Sequence, residues 1–281
     1  MKHQDGTLTG VRNSRIYYQC WLPEGEPRAV LLVVHGLGEH SGRYGNVVDY
    51  FVPRGYAVYG LDHYGHGKSE GPREYIERFS DYILPLKTFF DKVQGWQADR
   101  PIFLVGHSLG ALISAVYLLD HQAELAGAVL SGPGVKAPAY LSPALVLVGR
   151  ALSVLLPRAG VLAIDASGVS RDPAVVQAYV NDPLVYTGKT TARLGAETLD
   201  AIRRVQAEAP RLTLPLLILQ GSADRLVDPS GTEQFYRAVG SADKTLKVYP
   251  GLYHEVYNEP EHEQVLHDVE LWLEPRLAAT P

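Results

Sequence analysis

Short, continuously apolar segments that alternate with helical stretches constrain the fold of this chain more than any other feature. Four such segments end at Gly, Asp, Ser or Pro: AVLLVVHG (29–36), YAVYGLD (56–62), IFLVGHS (102–108) and LAGAVLSGP (125–133). Segments of this kind are typical of strands buried on both faces. Helical stretches follow at 44–53, 76–97 and 108–121, and the alternation therefore predicts an α/β fold with a mostly parallel central sheet flanked by helices.

The alternation stops after Pro133. The following residues have helical character, are punctuated by prolines, and contain no strand of comparable strength. The strand pattern resumes with LPLLILQG (214–221) and TLKVYPG (245–251), and an amphipathic helix over 261–277 closes the chain.

These changes of pattern predict one α/β domain with an insertion. We assign residues 1–133 and 211–281 to the α/β core and residues 134–210 to a helical insertion, which begins after the strand that ends near residue 133. An earlier segment, RIYYQCWLP (15–23), alternates like a half-buried strand and belongs to the same core.

The composition excludes several classes of protein. The 281 residues include 26 basic and 31 acidic side chains, and the net charge of −5 predicts neither nucleic-acid binding nor attraction to anionic membranes. A lone cysteine, Cys20, rules out an internal disulfide. Because the first ten residues lack the apolar core of a signal peptide, we expect a cytoplasmic protein. The most apolar stretch, 144–156, is interrupted by Arg150 and is too short to span a bilayer.

A G-x-S-x-G pentapeptide, Gly106-His107-Ser108-Leu109-Gly110, stands between a buried strand and a helix. The pattern alone also fits a serine that caps a helix. In the strand–turn–helix context, however, the serine hydroxyl is exposed on a tight turn that requires small flanking residues. The context therefore favours Ser108 as a nucleophile.

A serine nucleophile needs a base and an orienting acid, which follow it in the chain as Asp or Glu and then His. Asp224 comes three residues after Gly221, where the strand 214–221 ends, and His254 comes just after the strand 245–251. Asp228 is the rival acid, but it directly precedes a proline and is expected to begin the next helix. The other histidines either precede the acid or lie in the closing helix. We therefore predict Ser108, Asp224 and His254 as the catalytic residues.

The segment DHYGHGKSEG (62–71) contains the Gly-Lys-Ser of a phosphate-binding loop and two histidines. Asp62 occupies the position of the first required glycine, and no helix can begin at Lys68. His63 and His66 lack a third ligand for a metal nearby. We expect this loop to be scaffold beside the active site, and we expect neither a metal nor a cofactor.

Six blocks of the sequence resemble the successive blocks of monoacylglycerol lipases in the α/β-hydrolase superfamily. They run in order from about residue 10 to 275 and are HGLGEHSGRY, DHYGHGKSEG, GHSLGA, IDASGVSRDPAVVQAYVNDPLVYTGK, QGSADRLVDP and YHEVYNE. The resemblance implies an α/β-hydrolase fold, a cap or lid formed by the insertion, and the same three catalytic residues.

The resemblance also implies further site residues. The backbone N–H groups of Leu37 and Leu109 would form the oxyanion hole, Tyr179 of the cap would face the glycerol end of the pocket, and Glu39 and Arg43 would lie near the same entrance. The chain departs from many relatives at Leu109-Gly110-Ala111, where they have Met-Gly-Gly, and in the first half of the cap.

These observations predict a serine hydrolase that cleaves monoacylglycerols to fatty acid and glycerol through an acyl-enzyme. The alternatives are a lysophospholipase, a broad-specificity carboxylesterase, and a non-catalytic lipid-binding protein on the same scaffold. The apolar segment 145–156 predicts a cap helix with at least one buried face. We expect part of its remaining apolar surface to line an acyl tunnel or to touch lipid. A lipid is the expected partner, with transient membrane or micelle contact through the cap, and the oligomeric state is left open.

Overall fold

The computed structural model describes residues 1–138 and 141–277. Residues 139–140 of the predicted insertion and 278–281 of the predicted core lie outside these described residues. The strands are β1 (Lys2–Thr9), β2 (Arg15–Leu22), β3 (Ala29–Val34), β4 (Tyr56–Leu61), β5 (Ile102–His107), β6 (Gly127–Ser131), β7 (Gly160–Ala163), β8 (Lys189–Thr191), β9 (Leu216–Gly221) and β10 (Lys244–Tyr249). The α-helices are α1 (Gly45–Phe51), α2 (Ser80–Trp96), α3 (Leu109–His121), α4 (Pro143–Leu155), α5 (Pro173–Asn181), α6 (Ala192–Glu208), α7 (Pro229–Ala238) and α8 (His262–Leu273).

Eight strands form the central sheet, in the order β1-β2-β4-β3-β5-β6-β9-β10. The strands β4, β3, β5, β6, β9 and β10 are parallel, whereas β1 and β2 pair antiparallel at one edge. The mostly parallel sheet predicted from the sequence is therefore confirmed. Strand β1 was not predicted from the sequence, because only Leu8 of this edge strand is buried and the segment shows no apolar alternation.

Both faces of the sheet are covered, as the continuous apolar runs predict. In β3, Val30, Leu32 and Val34 face a core formed with α2, α3, α6 and α7. The alternate residues Leu31 and Val33 face a second core formed with α1 and α8. Strand residues must therefore be apolar at every position, and their carboxyl ends are held in one layer.

The chain between β6 and β9 contains α4, α5 and α6 together with a small two-stranded sheet, β7–β8. These two short strands were not predicted. Helix α6 packs against α3, and its Leu194, Ile202 and Val205 belong to the main core. The last helix of the insertion therefore connects it firmly to the α/β core. Among the described residues, none of the helices combines the length and apolar character needed to cross a membrane.

The first turn of α3 lies directly against the end of β3. A Cβ atom built on Gly110 would lie 1.9 Å from the carbonyl oxygen of Val34 and 2.4 Å from that of His35. These are backbone atoms of a central strand and cannot move aside. Glycine at position 110 is therefore required for α3 to start where it does.

We expect Gly110→Ala to lower the free energy of unfolding, at or beyond the upper end of the roughly 1–3 kcal/mol that overpacking costs. Gly195→Ala is the matched control, because Gly195 also lies in a helix and has open space around its Cα. That control is expected to gain stability, by up to about 1 kcal/mol. Chemical denaturation of both variants checks the prediction, and equal stabilities would contradict it.

Candidate active site

Ser108 stands at the turn between β5 and α3 in a backbone conformation that is rare for a residue with a side chain. Its φ is 54° and its ψ is −117°, a strained combination that costs about 1–3 kcal/mol. The turn is held by a hydrogen bond from the Ser108 N–H to the carbonyl oxygen of Ser131, 2.9 Å away on β6. The conformation that holds the hydroxyl of Ser108 at the carboxyl edge of the sheet therefore lowers the stability of the folded protein.

Asp224 and His254 form a hydrogen-bonded pair on the loops after β9 and β10. Nδ1 of His254 lies 2.7 Å from Oδ2 of Asp224. Oδ1 of Asp224 accepts hydrogen bonds from the N–H groups of Leu226 and Val227, at 2.8 and 2.9 Å. Because the carboxylate accepts from Nδ1–H, Nε2 of His254 is the nitrogen that is free to take a proton.

The imidazole of His254 lies next to the nucleophile turn. Its ring centroid is 4.6 Å from that of His107, the residue that precedes Ser108. His107 is buried, its Nδ1 lies 2.9 Å from Oγ of Ser131, and burial lowers the pKa of His107 to about 3. His107 therefore stays neutral and leaves His254 as the basic imidazole beside Ser108.

The surroundings of the pair favour its charged form. Burial alone would lower the pKa of His254, but the adjacent Asp224 outweighs burial and raises the pKa of His254 above its ordinary value. Burial would likewise raise the pKa of Asp224, yet His254 and two backbone N–H groups bring it below its ordinary value. A proton taken by His254 is therefore stabilised by a carboxylate that stays ionised.

Asp228, the rival acid, lies elsewhere. It caps the N-terminus of α7 through the N–H of Ser230 and forms an ion pair with Lys136. This is the position that its place before Pro229 predicted. Of the rival histidines in the closing helix, His262 bonds the carbonyl oxygen of Glu259 and His267 is exposed.

The turn after β3 approaches the nucleophile closely. A Cβ atom built on Gly36 would lie 3.3 Å from Cβ of Ser108. The next N–H group is that of Leu37, and the N–H of Leu109 stands at the N-terminus of α3. Within the part of the chain that the structure describes, neither of these two N–H groups donates a hydrogen bond to a protein acceptor. Their proposed role as the two donors of an oxyanion hole therefore requires the displacement of no hydrogen bond among the described residues.

Glu39 and Arg43 lie on this turn and its continuation, and their charges face each other. Nη1 of Arg43 is 2.9 Å from Oε2 of Glu39, and the Arg43 side chain is 10% exposed. The same guanidinium bonds both carboxylate oxygens of Glu255 at 2.7 Å and lies over the ring of Tyr179, 4.6 Å from its centroid. The cavity bordered by this cluster measures about 10 Å³, the space of about one water molecule.

Tyr179 of α5 is buried against the turn after β3. Its hydroxyl would be 3.5 Å from a Cβ atom on Gly38. Burial raises the pKa of Tyr179, so that the phenol stays neutral and can donate a hydrogen bond. The cap also bonds the turn directly, through the N–H of Tyr186 to the carbonyl oxygen of Gly38 at 2.8 Å and through Asp182 to His40 at 2.9 Å.

Glu255 was not among the site residues predicted from the sequence. Its only signal was its position beside His254, because its partner Arg43 is 212 residues away in the chain. No periodicity or spacing links two residues so far apart.

The loop DHYGHGKSEG buttresses the turn after β3. The N–H of His63 donates to Nε2 of His35 at 2.9 Å, and Asp62 accepts two hydrogen bonds from Ser41. The N–H of Lys68 also donates to Asp62, at 2.8 Å. These contacts agree with the scaffold role predicted for the loop. Over residues 1–138 and 141–277, no group of three or more His, Cys, Asp or Glu side chains is placed to hold a metal ion.

Comparison with known proteins identifies the family. A family model described as "Serine aminopeptidase, S33" matches residues 25–261. The monoacylglycerol lipase of Mycolicibacterium smegmatis is 40% identical to the chain, over 95% of this chain and 95% of that protein. The chain belongs to the monoacylglycerol lipase family. The monoglyceride lipase of Mus musculus is 39% identical, over 97% of this chain and 91% of that protein.

A solved structure supports the same assignment. The crystal structure of the Paleococcus ferrophilus monoacylglycerol lipase is 30% identical and superposes with a TM-score of 0.84, covering 93% of this chain and 99% of that chain. These matches confirm the predicted α/β-hydrolase fold and the resemblance on which it was based.

The acid limb of the pH–rate profile tests the role of Asp224. If His254 is the base, its neutral form is the active one, and because the pKa of His254 is raised we expect kcat/KM to fall as pH drops through a value above the ordinary imidazole pKa of about 6.5. Asp224→Asn should lower kcat by roughly 10⁴-fold, as loss of the orienting acid does in other serine hydrolases, and should move the acid limb to lower pH.

Asp228→Asn is the matched control for this substitution. Asparagine caps a helix about as well as aspartate, so this variant should keep its pH profile and lose at most the roughly 1 kcal/mol that an exposed ion pair such as that with Lys136 contributes. Equal activity losses in Asp224→Asn and Asp228→Asn, measured on the same ester, would contradict the assignment.

Proposed function

We propose that this protein is a serine hydrolase that cleaves the ester bond of monoacylglycerols to a fatty acid and glycerol through an acyl-enzyme intermediate. The observation that carries the proposal is the 2.7 Å hydrogen bond between His254 and Asp224 beside the strained turn of Ser108. In this arrangement the imidazole can remove the proton of the serine hydroxyl, and the buried carboxylate orients the imidazole. The hydroxyl of the strained serine thereby becomes nucleophilic.

The first step is attack by the hydroxyl oxygen of Ser108 on the ester carbonyl carbon, while Nε2 of His254 takes the hydroxyl proton. The negative charge that develops on the carbonyl oxygen is bound by the N–H groups of Leu37 and Leu109. The C–O bond to glycerol then breaks, and His254 gives its proton to the departing alkoxide. Water repeats the sequence on the acyl-enzyme and releases the fatty acid.

Tyr179 is proposed to face the glycerol group. Its hydroxyl lies beside Gly38 of the turn after β3, and its phenol stays neutral. Glu39 and Arg43, expected at the same entrance, are bound to each other and to Glu255. Their direct contact with the head group stays a prediction. The lysophospholipase and carboxylesterase alternatives share the same chemistry and differ in the group that leaves.

The cap is proposed to deliver the lipid. Helix α4 turns Val146, Gly149, Leu152 and Ser153 toward α6, and its other apolar side chains are exposed. We define the cap apolar surface as Leu145, Leu147, Val148, Val154, Leu155, Leu156, Val161 and Leu162, whose exposed fractions run from 47% to 76%. The sequence predicted one buried face, and the exposed remainder suits transient contact with a micelle or membrane.

Ser108→Ala is expected to abolish hydrolysis of monoolein and to keep the thermal unfolding midpoint close to that of the unmodified protein. Undiminished turnover in this variant would overturn the mechanism.

Comparing kcat/KM for monoolein, lysophosphatidylcholine and a short-chain nitrophenyl ester tests the head group. We expect monoolein to be cleaved fastest, and a preference for either other ester would favour the corresponding alternative.

The cap apolar surface predicts a second effect. The double substitution Leu147→Glu and Leu155→Glu should weaken binding to neutral phosphatidylcholine vesicles and raise KM for emulsified monoolein by roughly tenfold or more, because each exposed leucine contributes about 1.5–3 kcal/mol when it is fully buried in lipid. Turnover of a dissolved short-chain ester should not change. The same double substitution at two other exposed apolar residues, Leu84 and Leu271, is the control. Equal losses in the two double variants would contradict a specific role of the cap.

A further inference from the structure

Glu255 follows the base His254 directly and lies in a buried chain of charges. Oε1 and Oε2 of Glu255 each lie 2.7 Å from a nitrogen of the Arg43 guanidinium. Oε2 also accepts a hydrogen bond from Nδ2 of Asn258 at 2.9 Å. The Glu255 side chain is only 6% exposed. A bidentate pair at this depth is rigid, and its planar geometry fixes both partners.

The other end of this chain holds the oxyanion turn. Nη1 of Arg43 bonds Oε2 of Glu39 at 2.9 Å, and Oε1 of Glu39 accepts the N–H of Gly36 at 2.6 Å. The hydroxyl of Tyr44 donates to the same oxygen at 3.0 Å. Gly36 immediately precedes Leu37, whose N–H is the proposed oxyanion donor. The carboxylate of Glu39 therefore determines where that donor points.

Together these contacts form one continuous link between two parts of the reaction site. From Gly36 it passes through Glu39, Arg43 and Glu255 to the residue next to His254, with each contact at 2.9 Å or less. One end is the backbone of Gly36 and the other is Glu255, which is buried. Because short hydrogen bonds join these ends, a displacement of one must move the other.

We propose that Glu255, acting through Arg43 and Glu39, is a positioning residue that holds the base loop and the oxyanion turn in register and supports the charge that forms on His254. This inference rests on the proposed function, because it assumes that Ser108 reacts and that His254 is its base. In this role the buried charges of Glu39, Arg43 and Glu255 position the reacting groups and do not contact the substrate head group.

The charges around His254 give the proposal an electrostatic consequence. The charges that act on the imidazole are those of Asp224, Glu255 and Glu39. The neutral ring of His107 lies 4.6 Å from it, and Arg43 is bonded to both glutamates. Burial opposes ionisation of Glu255, but Arg43 outweighs it and lowers the pKa of Glu255 to about 2. Glu255 is thus a permanent negative charge beside the ring, and it stabilises imidazolium in addition to Asp224.

Glu255→Gln tests this consequence, because it removes the charge and keeps the size. The pKa of His254 should fall, so that the acid limb of kcat/KM moves to lower pH by roughly half a unit or more. Looser placement of the oxyanion turn should lower kcat by roughly 10- to 100-fold. The loss should be equal on a monoacylglycerol and on a nitrophenyl ester of the same acyl chain, because the nitrophenyl ester has no glycerol to bind.

Glu259→Gln is the matched control. Glu259 is a fully buried glutamate on the same loop, but it bonds Arg171 of the cap and the N–H of Tyr253 instead of Arg43. This variant should lose stability and leave the acid limb in place. An unchanged acid limb in folded Glu255→Gln, or an equal shift in both variants, would overturn the proposal.

Arg43→Lys provides a second test if Glu255→Gln does not fold. Lysine keeps the charge but cannot hold both oxygens of Glu255 and one of Glu39 in a planar fork. Positioning predicts a loss of kcat that is equal on the two esters. A rise in KM confined to the monoacylglycerol would overturn the proposal and support direct head-group binding.

The reaction rate of Ser108 with a fluorophosphonate, measured against pH, separates this proposal from the proposed function. Covalent labelling needs the nucleophile, the base and the oxyanion hole but no particular ester. If Ser108 labels normally but monoolein is not cleaved, the substrate assignment fails while the positioning role is still tested by the labelling profile of Glu255→Gln. If that profile matches the unmodified protein, the positioning role fails alone.

Discussion

The strained backbone of Ser108 is the constraint on which the rest of this structure depends. A residue with a side chain combines φ of 54° with ψ of −117° only when its surroundings force it there. The forcing elements are the helix start at Gly110, which touches the backbone of β3, and the hydrogen bond from Ser108 to Ser131 on β6. Three neighbouring parallel strands are therefore needed to hold one hydroxyl in place.

The geometry of a parallel sheet brings the other groups to that hydroxyl. Strands β3, β5, β9 and β10 all end at the same edge, and the loops after them carry the turn with the proposed oxyanion donor Leu37, then Ser108, Asp224 and His254. The cap closes this edge through backbone contacts, from Tyr186 to Gly38 and from Glu255 to Val169. The loops that carry the proposed catalytic residues are thus tied to the cap, whereas most apolar side chains of α4 are exposed.

Much of this arrangement could be predicted from the sequence, for a physical reason. The strands are buried on both faces and so appear as unbroken apolar runs, and each proposed catalytic residue lies within five residues of the end of such a run. Ser108, Asp224 and His254 were proposed as catalytic residues by this rule, and the structure brings His254 and Asp224 to 2.7 Å of each other. Asp228 could be set aside because an acidic residue before proline is a common helix cap.

Other features depend on contacts that no local pattern encodes. Strand β1 lies at the edge of the sheet and is mostly exposed. Its strand conformation is determined by pairing with β2 and not by burial. Arg43 and Glu39 have the appearance of entrance residues in the sequence, but Glu255, far away in the chain, turns them into a buried network. The exposed fraction of the apolar side chains of α4 likewise depends on a contact with another helix, because α6 covers only one of its faces.

The most direct test of this account is the site of covalent reaction with a serine-directed fluorophosphonate. After reaction of the native protein, peptide mass spectrometry should find one adduct, on Ser108, and prior denaturation should prevent its formation. An adduct on another serine, or no adduct on native protein, would contradict the claim that the strained turn and its buried His–Asp pair activate Ser108.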